Sequence, residues 1–325
     1  MKKLLLCAVT GLFCLAFNYV RADIEADAAS PVFFTEIWGY LMSGEEKYFT
    51  KNSPVTDIGY FSAKVSLDGS LRGVPDASKI NQFGRRVHLV IAETSDYSLT
   101  HFVLRPDLPF RAELLDSIAV KSKPFAGVQI DFEAVRPADR DNFISFLYEL
   151  KAKIKEKTLS VALPARRKKV DDAYDYEKIS KTVDRIIIMA YDEHWSTSKP
   201  GPVASNTWCR EVSAYAAKHI PQEKLVMGIP FYGRAWIDKN PAKAYINRGV
   251  MNIIRSKNLP VSRTADGIPN VRYMETVEVS LYYDDEESLW KKFGIYKNAG
   301  AAKIAFWRIG QENPEIWQKI SSEEK

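Results

Sequence analysis

Cysteine and histidine are both scarce in this sequence, with three Cys and four His among 325 residues. Cys7 and Cys14 fall in the first apolar segment, so Cys209 has no partner for an intrachain disulfide once that segment is set aside. His88, His101, His194 and His219 are scattered, and no Cys/His cluster has zinc-ligand spacing. No metal and no cofactor is therefore expected. Nor is there a run long enough to span a bilayer: the uncharged stretch Leu4–Phe17 falls short of the roughly 20 apolar residues a spanning helix needs. That stretch follows Lys2-Lys3 and precedes Val20 and Ala22, which stand where a signal peptidase reads, so residues 1–22 are expected to be a secretory signal. A membrane anchor, or a lipoprotein formed through Cys14, is the alternative. Loss of Lys2, Lys3 and Arg21 with the signal would lower the net charge from +5 to +2.

Low-complexity segments and linkers are missing from residues 31–325 as well, which points to one folded unit over residues 23–325. With 46% hydrophobic residues the chain can build a large core, and a disordered or fibrous class is excluded. Short apolar, β-branched runs alternate with polar, helix-like stretches. The strand-like runs are 33–41, 57–65, 86–92, 127–132, 159–163, 185–190, 224–229 and 303–307, and helical patterns cover 137–155, 206–219 and 284–298. Runs such as Arg185–Met189 are apolar without alternation, as parallel strands covered on both faces should be. Eight such strands predict an α/β fold, a (β/α)8 TIM barrel. The long interval at 235–283 carries a strand-like run of its own at 277–283, which predicts a small α+β insertion between strands 7 and 8.

In such a barrel, function sits where the strands end, on the C-terminal face. The fourth run ends Gly127-Val128-Gln129-Ile130-Asp131-Phe132-Glu133, and strand alternation puts Gln129, Asp131 and Glu133 on one side. Facing the lumen, Asp131 and Glu133 would lie about 6–7 Å apart along the strand. In a partly desolvated mouth each opposes ionisation of the other, which suits a general acid. Other strand ends supply Met189-Ala190-Tyr191-Asp192, Phe231-Tyr232-Gly233-Arg234 and Phe306-Trp307. A cleft of Tyr, Trp, Asp and Glu suits a sugar, whose apolar ring face covers aromatics while its hydroxyls meet acids; core packing is the alternative for any single aromatic.

On these motifs the chain resembles glycoside hydrolase family 18, the chitinases and related N-acetylglucosaminidases. The family's D-x-x-D-x-D-x-E pattern is matched at its end by Asp131 and Glu133, M-x-Y-D by Met189, Tyr191 and Asp192, G-I-P-F-Y-G-R in full, and the last-strand Trp by Trp307. Ala126 and Gln129 replace the two earlier acids. An amide at that position, with Tyr191–Trp195 and Leu159–Pro164, resembles the bacterial spore-cortex and cell-wall branch.

The resemblance implies a glycosidase cleaving β-1,4 bonds beside N-acetylglucosamine, in peptidoglycan or chitin-type oligomers, by substrate-assisted retaining catalysis. It assigns Glu133 as general acid and base, Asp131 as support for the substrate's acetamido group, and Tyr191 as holder of the acetamido oxygen. Asp192, Trp307, Tyr232, Arg234, Met189, Gln129 and Tyr40 would line the substrate site. With Gln129 unable to share a proton, Asp131 is expected to be more persistently ionised than beside a third acid. The partner is then an N-acetylglucosamine-containing glycan, with no nucleic acid and no stable membrane insertion after signal cleavage. The protein is expected to be a monomer in the periplasm, cell envelope or medium of a bacterium. A non-catalytic, lectin-like barrel is the alternative. Nucleic-acid binding through Lys151–Lys157 and Arg166–Lys169 is disfavoured; the first stretch alternates charge with apolar residues at the end of a helix, which makes a solvated face.

Overall fold

The computed structural model describes residues 31–80, 83–237 and 240–322; residues 1–22, where the export signal is expected, lie outside the described residues. Eight parallel strands form the barrel: β1 Glu36–Met42, β2 Asp57–Val65, β3 Arg86–Glu93, β4 Gly127–Phe132, β5 Thr158–Pro164, β6 Arg185–Met189, β7 Leu225–Pro230 and β8 Lys303–Trp307. Each pairs with the next, and β8 closes the ring on β1 in the register Ile304↔Ile37 and Phe306↔Gly39. Every one of the eight expected strands is present, with ends moved by at most a few residues.

The helices are α1 Tyr97–Leu104, α2 Pro109–Lys121, α3 Arg140–Ile154, α4 Tyr176–Ser180, α5 Asn206–His219, α6 Asn247–Ser256 and α7 Glu286–Asn298. Side-chain caps start several of them: Asp96 on α1, Ser205 on α5, and a reciprocal Asp285–Ser288 box on α7. The strand–helix alternation fails in the first two connections, which among the described residues hold only 3-10 turns and the short strand Leu71–Arg72. Turn formers crowd both, as in Lys51-Asn52-Ser53-Pro54 and Gly73-Val74-Pro75-Asp76, and they break a helix before it can propagate.

Outward-facing strand residues such as Leu89, Val128, Ile130, Val161 and Ile188 build the main core against the helices. Phe132 stacks between Phe143 and Phe146 of α3, with centroids at 6.4 and 6.0 Å. The lumen is layered. At its base, Glu36 accepts from Arg185 Nε at 2.9 Å and Trp38 Nε1 at 3.0 Å. Asp57 accepts from Arg86 Nε and His88 Nε2, both at 2.7 Å. Burial pushes the Asp57 carboxyl up, but the His88 and Arg86 hydrogen bonds outweigh it and hold the group at about 2. Above this ionic plug, Trp38, Val90, Ile187, Val226 and Ala305 fill the middle.

Directly after β7 the chain leaves the barrel into an antiparallel five-stranded sheet, ordered Asn240–Ile246, Tyr232–Ile237, Glu278–Tyr282, Pro269–Met274, Ser262–Arg263. Val250 and Ile254 of α6 pack on one face, against Ala235, Val271, Val279 and Leu281. Alternation puts Arg234, Trp236, Ser280 and Tyr282 on the other, where Trp236 and Tyr282 meet edge to face at 6.1 Å.

Candidate active site

The end of β4 carries the acids. Gln129 and Asp131 are buried in the lumen, at 0% and 5% exposure, and Glu133 emerges at the mouth. The Gln129 amide donates from Nε2 to Ser160 Oγ at 3.2 Å. Gln129 Oε1, Asp131 Oδ1 and the Tyr40 hydroxyl are all buried without a hydrogen-bond partner. Unpaired polar atoms of this kind are uncommon in native interiors.

Their burial decides the protonation states. Loss of water, then the nearby Glu133 charge, pushes Asp131 up to about 8. Gln129, an amide, shares no proton with Asp131 and brings no positive charge to offset its desolvation. Glu133 reaches solvent on one side and is walled by protein on the others; partial desolvation, followed by the Asp192 charge, raises its carboxyl above the ordinary value. Burial also lifts the phenols of Tyr40, Tyr191 and Tyr232, which therefore remain O–H donors at any working pH.

The chain turns sharply after β6. Asp192 takes a left-handed conformation, φ +58°, which a short polar side chain tolerates better than most. Its Oδ1 accepts from the Tyr232 hydroxyl and from Arg234 Nη2, each at 2.7 Å. Tyr191 sits beside it, with its ring 6.4 Å from that of Tyr232 and nearly perpendicular. Two glycines make room here. A Cβ on Gly228 would come within 2.6 Å of the Ile188 carbonyl oxygen and 3.2 Å of the Tyr191 ring, and one on Gly59 within 2.5 Å of the Tyr40 ring.

Trp307, at the end of β8, packs against Phe61 at 4.7 Å and Tyr40 at 5.4 Å between centroids. Met189 is the last residue of β6, half-buried at the same rim. All ten residues singled out in the sequence thus lie at the C-terminal end of the barrel or on the wall rising from it. Tyr232 and Arg234 differ from expectation in one respect, since they belong to the first strand of the insertion rather than to β7. Phe61 and Tyr174 were not singled out. Alternation along β2 would have put Phe61 on the lumen face with Asp57 and Gly59, whereas Tyr174 lies in a loop with no pattern to flag it.

Two grooves flank this centre. One of about 910 Å³ runs along Phe61, Lys64, Arg72, Glu93 and Asp96. Another of about 1060 Å³ lies between Ser196–Pro200 and the Trp236 face of the insertion, where the Ala242 N–H donates to the Ser196 carbonyl at 2.8 Å. Among the described residues no helix is long and apolar enough to cross a membrane, and no group of three His, Cys, Asp or Glu is placed to hold a metal ion.

Comparison with known proteins agrees with the geometry. The sequence profile of the glycosyl hydrolases family 18 matches residues 84–312. The cortical fragment-lytic enzyme of Bacillus anthracis is 27% identical over 294 residues, covering 83% of this chain and 68% of that protein. A Bacillus subtilis (strain 168) protein described as uncharacterized glycosylase YvbX is 26% identical over 344 residues and 98% of both chains. The solved spore cortex-lytic enzyme SleL of Bacillus cereus superposes with a TM-score of 0.81 at 25% identity, over 90% of this chain and 75% of that one. With its closed eight-strand barrel and the acids at the end of β4, this chain is a glycosidase that belongs to the glycosyl hydrolases family 18.

Proposed function

We propose that the protein is exported and cleaves the β-1,4 bond next to N-acetylglucosamine in peptidoglycan or a related chitin-type oligomer, by substrate-assisted retaining catalysis. The observation that carries this reading is the stack on β4: buried Gln129 and Asp131 below a mouth-facing Glu133, opposite Tyr191 and Asp192. Glu133 holds its proton more firmly than an ordinary carboxyl and gives it to the glycosidic oxygen as the C1–O bond breaks. The acetamido oxygen of the same sugar attacks C1, so no second enzyme carboxylate is required as nucleophile. Tyr191 O–H donates to that oxygen. Asp131, protonated in the free enzyme near neutral pH, releases its proton to solvent as substrate binds, because the acetamido N–H and the positive charge of the oxazolinium ring both favour its ionised form. Water then attacks C1 from the face the leaving group vacated, losing a proton to Glu133, and the configuration is retained.

Trp307, backed by Phe61 and Tyr40, offers the floor for the sugar, and the two grooves leave room for glycan beyond it. The names of the cortex-lytic relatives favour peptidoglycan as the substrate. Export rests on the charged and apolar segments before Ala22. The test is digestion of purified peptidoglycan and of chitin oligomers, with products read by mass spectrometry. Glu133→Gln should lower the rate by about 10²–10⁴-fold, the usual contribution of a general acid, and keep glycan binding. Undiminished turnover in that variant sinks the assignment. Glycan binding with no cleavage by the unaltered protein leaves the lectin-like reading instead.

A further inference from the structure

The last residues of β4 are held very differently on their two sides. Toward β3 the ladder continues to the end: Ala92 pairs with Asp131, Glu93 with Phe132, and the Glu133 N–H donates to the Glu93 carbonyl at 2.8 Å. Toward β5 the ladder stops at Ile130↔Val161, so the Phe132 carbonyl has no strand partner there. A side chain takes its place. The Tyr174 hydroxyl donates to the Phe132 carbonyl at 2.9 Å and accepts from the Val135 N–H at 3.3 Å, one residue before and two after Glu133.

Tyr174 is itself tied down. Its N–H donates to Asp172 Oδ1 at 2.9 Å, the Asp172 carbonyl accepts from Arg140 Nε of α3 at 2.6 Å, and Arg166 pairs with the Asp172 carboxylate. The ring packs edge to face on Phe143, at 6.1 Å, and Phe143 stacks in turn on Phe132. Burial, with the Val135 bond opposing and the Glu133 charge adding, raises the phenol, which stays a donor.

We propose that Tyr174 is a positioning residue for this reaction: its hydroxyl replaces the missing β5 ladder and fixes the backbone that aims Glu133 at the glycosidic oxygen. The inference rests on the reading of Glu133 as general acid. A backbone freed on one side lets the carboxyl wander by an ångström or so, enough to weaken proton transfer while leaving sugar contacts made by other strands intact.

Tyr174→Phe removes the hydroxyl and keeps the ring on Phe143. It is to be compared with the unaltered protein on two substrates sharing the same N-acetylglucosamine oligomer, one with a 4-nitrophenyl leaving group and one the plain oligosaccharide. The nitrophenolate departs with little protonic help, whereas the sugar alcohol needs the acid. The expected result is a kcat loss of about tenfold or more on the oligosaccharide and under about threefold on the aryl glycoside, with KM nearly constant. Amide exchange at Val135 should quicken. The ratio of the two losses does not depend on how much of the variant folds. Equal losses on both substrates, or no loss on either, overturn the positioning role and leave the glycosidase reading standing. An unaltered protein that turns over neither substrate overturns the catalytic reading, and this inference with it.

Discussion

Replacing Asp131 with Asn should stabilise the protein while disabling it, and the size of the effect should depend on pH in a defined direction. Asp131 is buried, Oδ1 has no partner, and its pKa is pushed from an ordinary 3.8 up to about 8. Between those values the folded state keeps a proton that the unfolded state releases. Stability therefore falls as pH rises through this window, by about 1.4 kcal/mol per pH unit, and levels off above the folded pKa. Integrated over the window, the destabilisation has an upper limit of about 6 kcal/mol, and relaxation around the charge lowers it to about 3 kcal/mol. An amide at the same position does not titrate and breaks no hydrogen bond at Oδ1. At pH 4 the two proteins should melt together; by pH 8 the variant should melt higher by roughly 5–10 °C, at about 2 °C per kcal/mol for a chain of this size. Scanning calorimetry of both proteins from pH 4 to 9 reads the difference, which cancels the titrating groups that do not interact with Asp131. Parallel curves, or a gap that narrows with rising pH, would refute the argument that desolvation governs this carboxyl.

Two further substitutions test the surroundings of the site. Gly228→Ala places a Cβ within 2.6 Å of a backbone oxygen and against the Tyr191 ring, so β6 or the ring must move. A loss of about 1–3 kcal/mol in denaturant unfolding is expected, with reduced kcat. On the outer side, Lys292 of α7 is fully buried and bonded to the buried Asp284 carboxylate, which Ser288 Oγ also reaches at 2.7 Å. Lys292→Met strands that charge and should cost about 3–5 kcal/mol in unfolding free energy, whereas a double replacement with Asp284→Leu should recover most of it.

Much of the site was legible because it is written at strand spacing. Asp131 and Glu133 share a face two residues apart, Tyr191 and Asp192 end one strand, and Trp307 ends another, so alternation and order along the chain were enough to bring them together. The eight strands themselves stand out for the same reason, as apolar β-branched runs between polar stretches. What alternation could not supply was the environment of each group. Gln129 can be read from its own chemistry, but the raised carboxyl of Asp131 comes from its depth below the mouth, which no local pattern reports.

The contribution of the insertion was similarly out of reach. Tyr232 and Arg234 read as the end of a barrel strand, yet they start a separate sheet whose pairing with Glu278–Tyr282, some 45 residues later, turns Arg234 back toward Asp192. Among the described residues, the first two connections lack α-helices because their turn residues stop helices locally, a signal present in the sequence but weaker than the repeating pattern around it.

By itself, then, the order of amino acids determined the barrel, the placing of the candidate acids on one strand face and the aromatic character of the cleft, since each depends on periodicity or composition within a few residues. Only the tertiary structure decided which carboxyl is stripped of water, which glycines admit the Tyr40 and Tyr191 rings, and how a tyrosine from the loop after β5 completes the hydrogen bonding of β4. Those depend on contacts between segments distant in the chain, and free energies of burial and hydrogen bonding exist only once such segments meet.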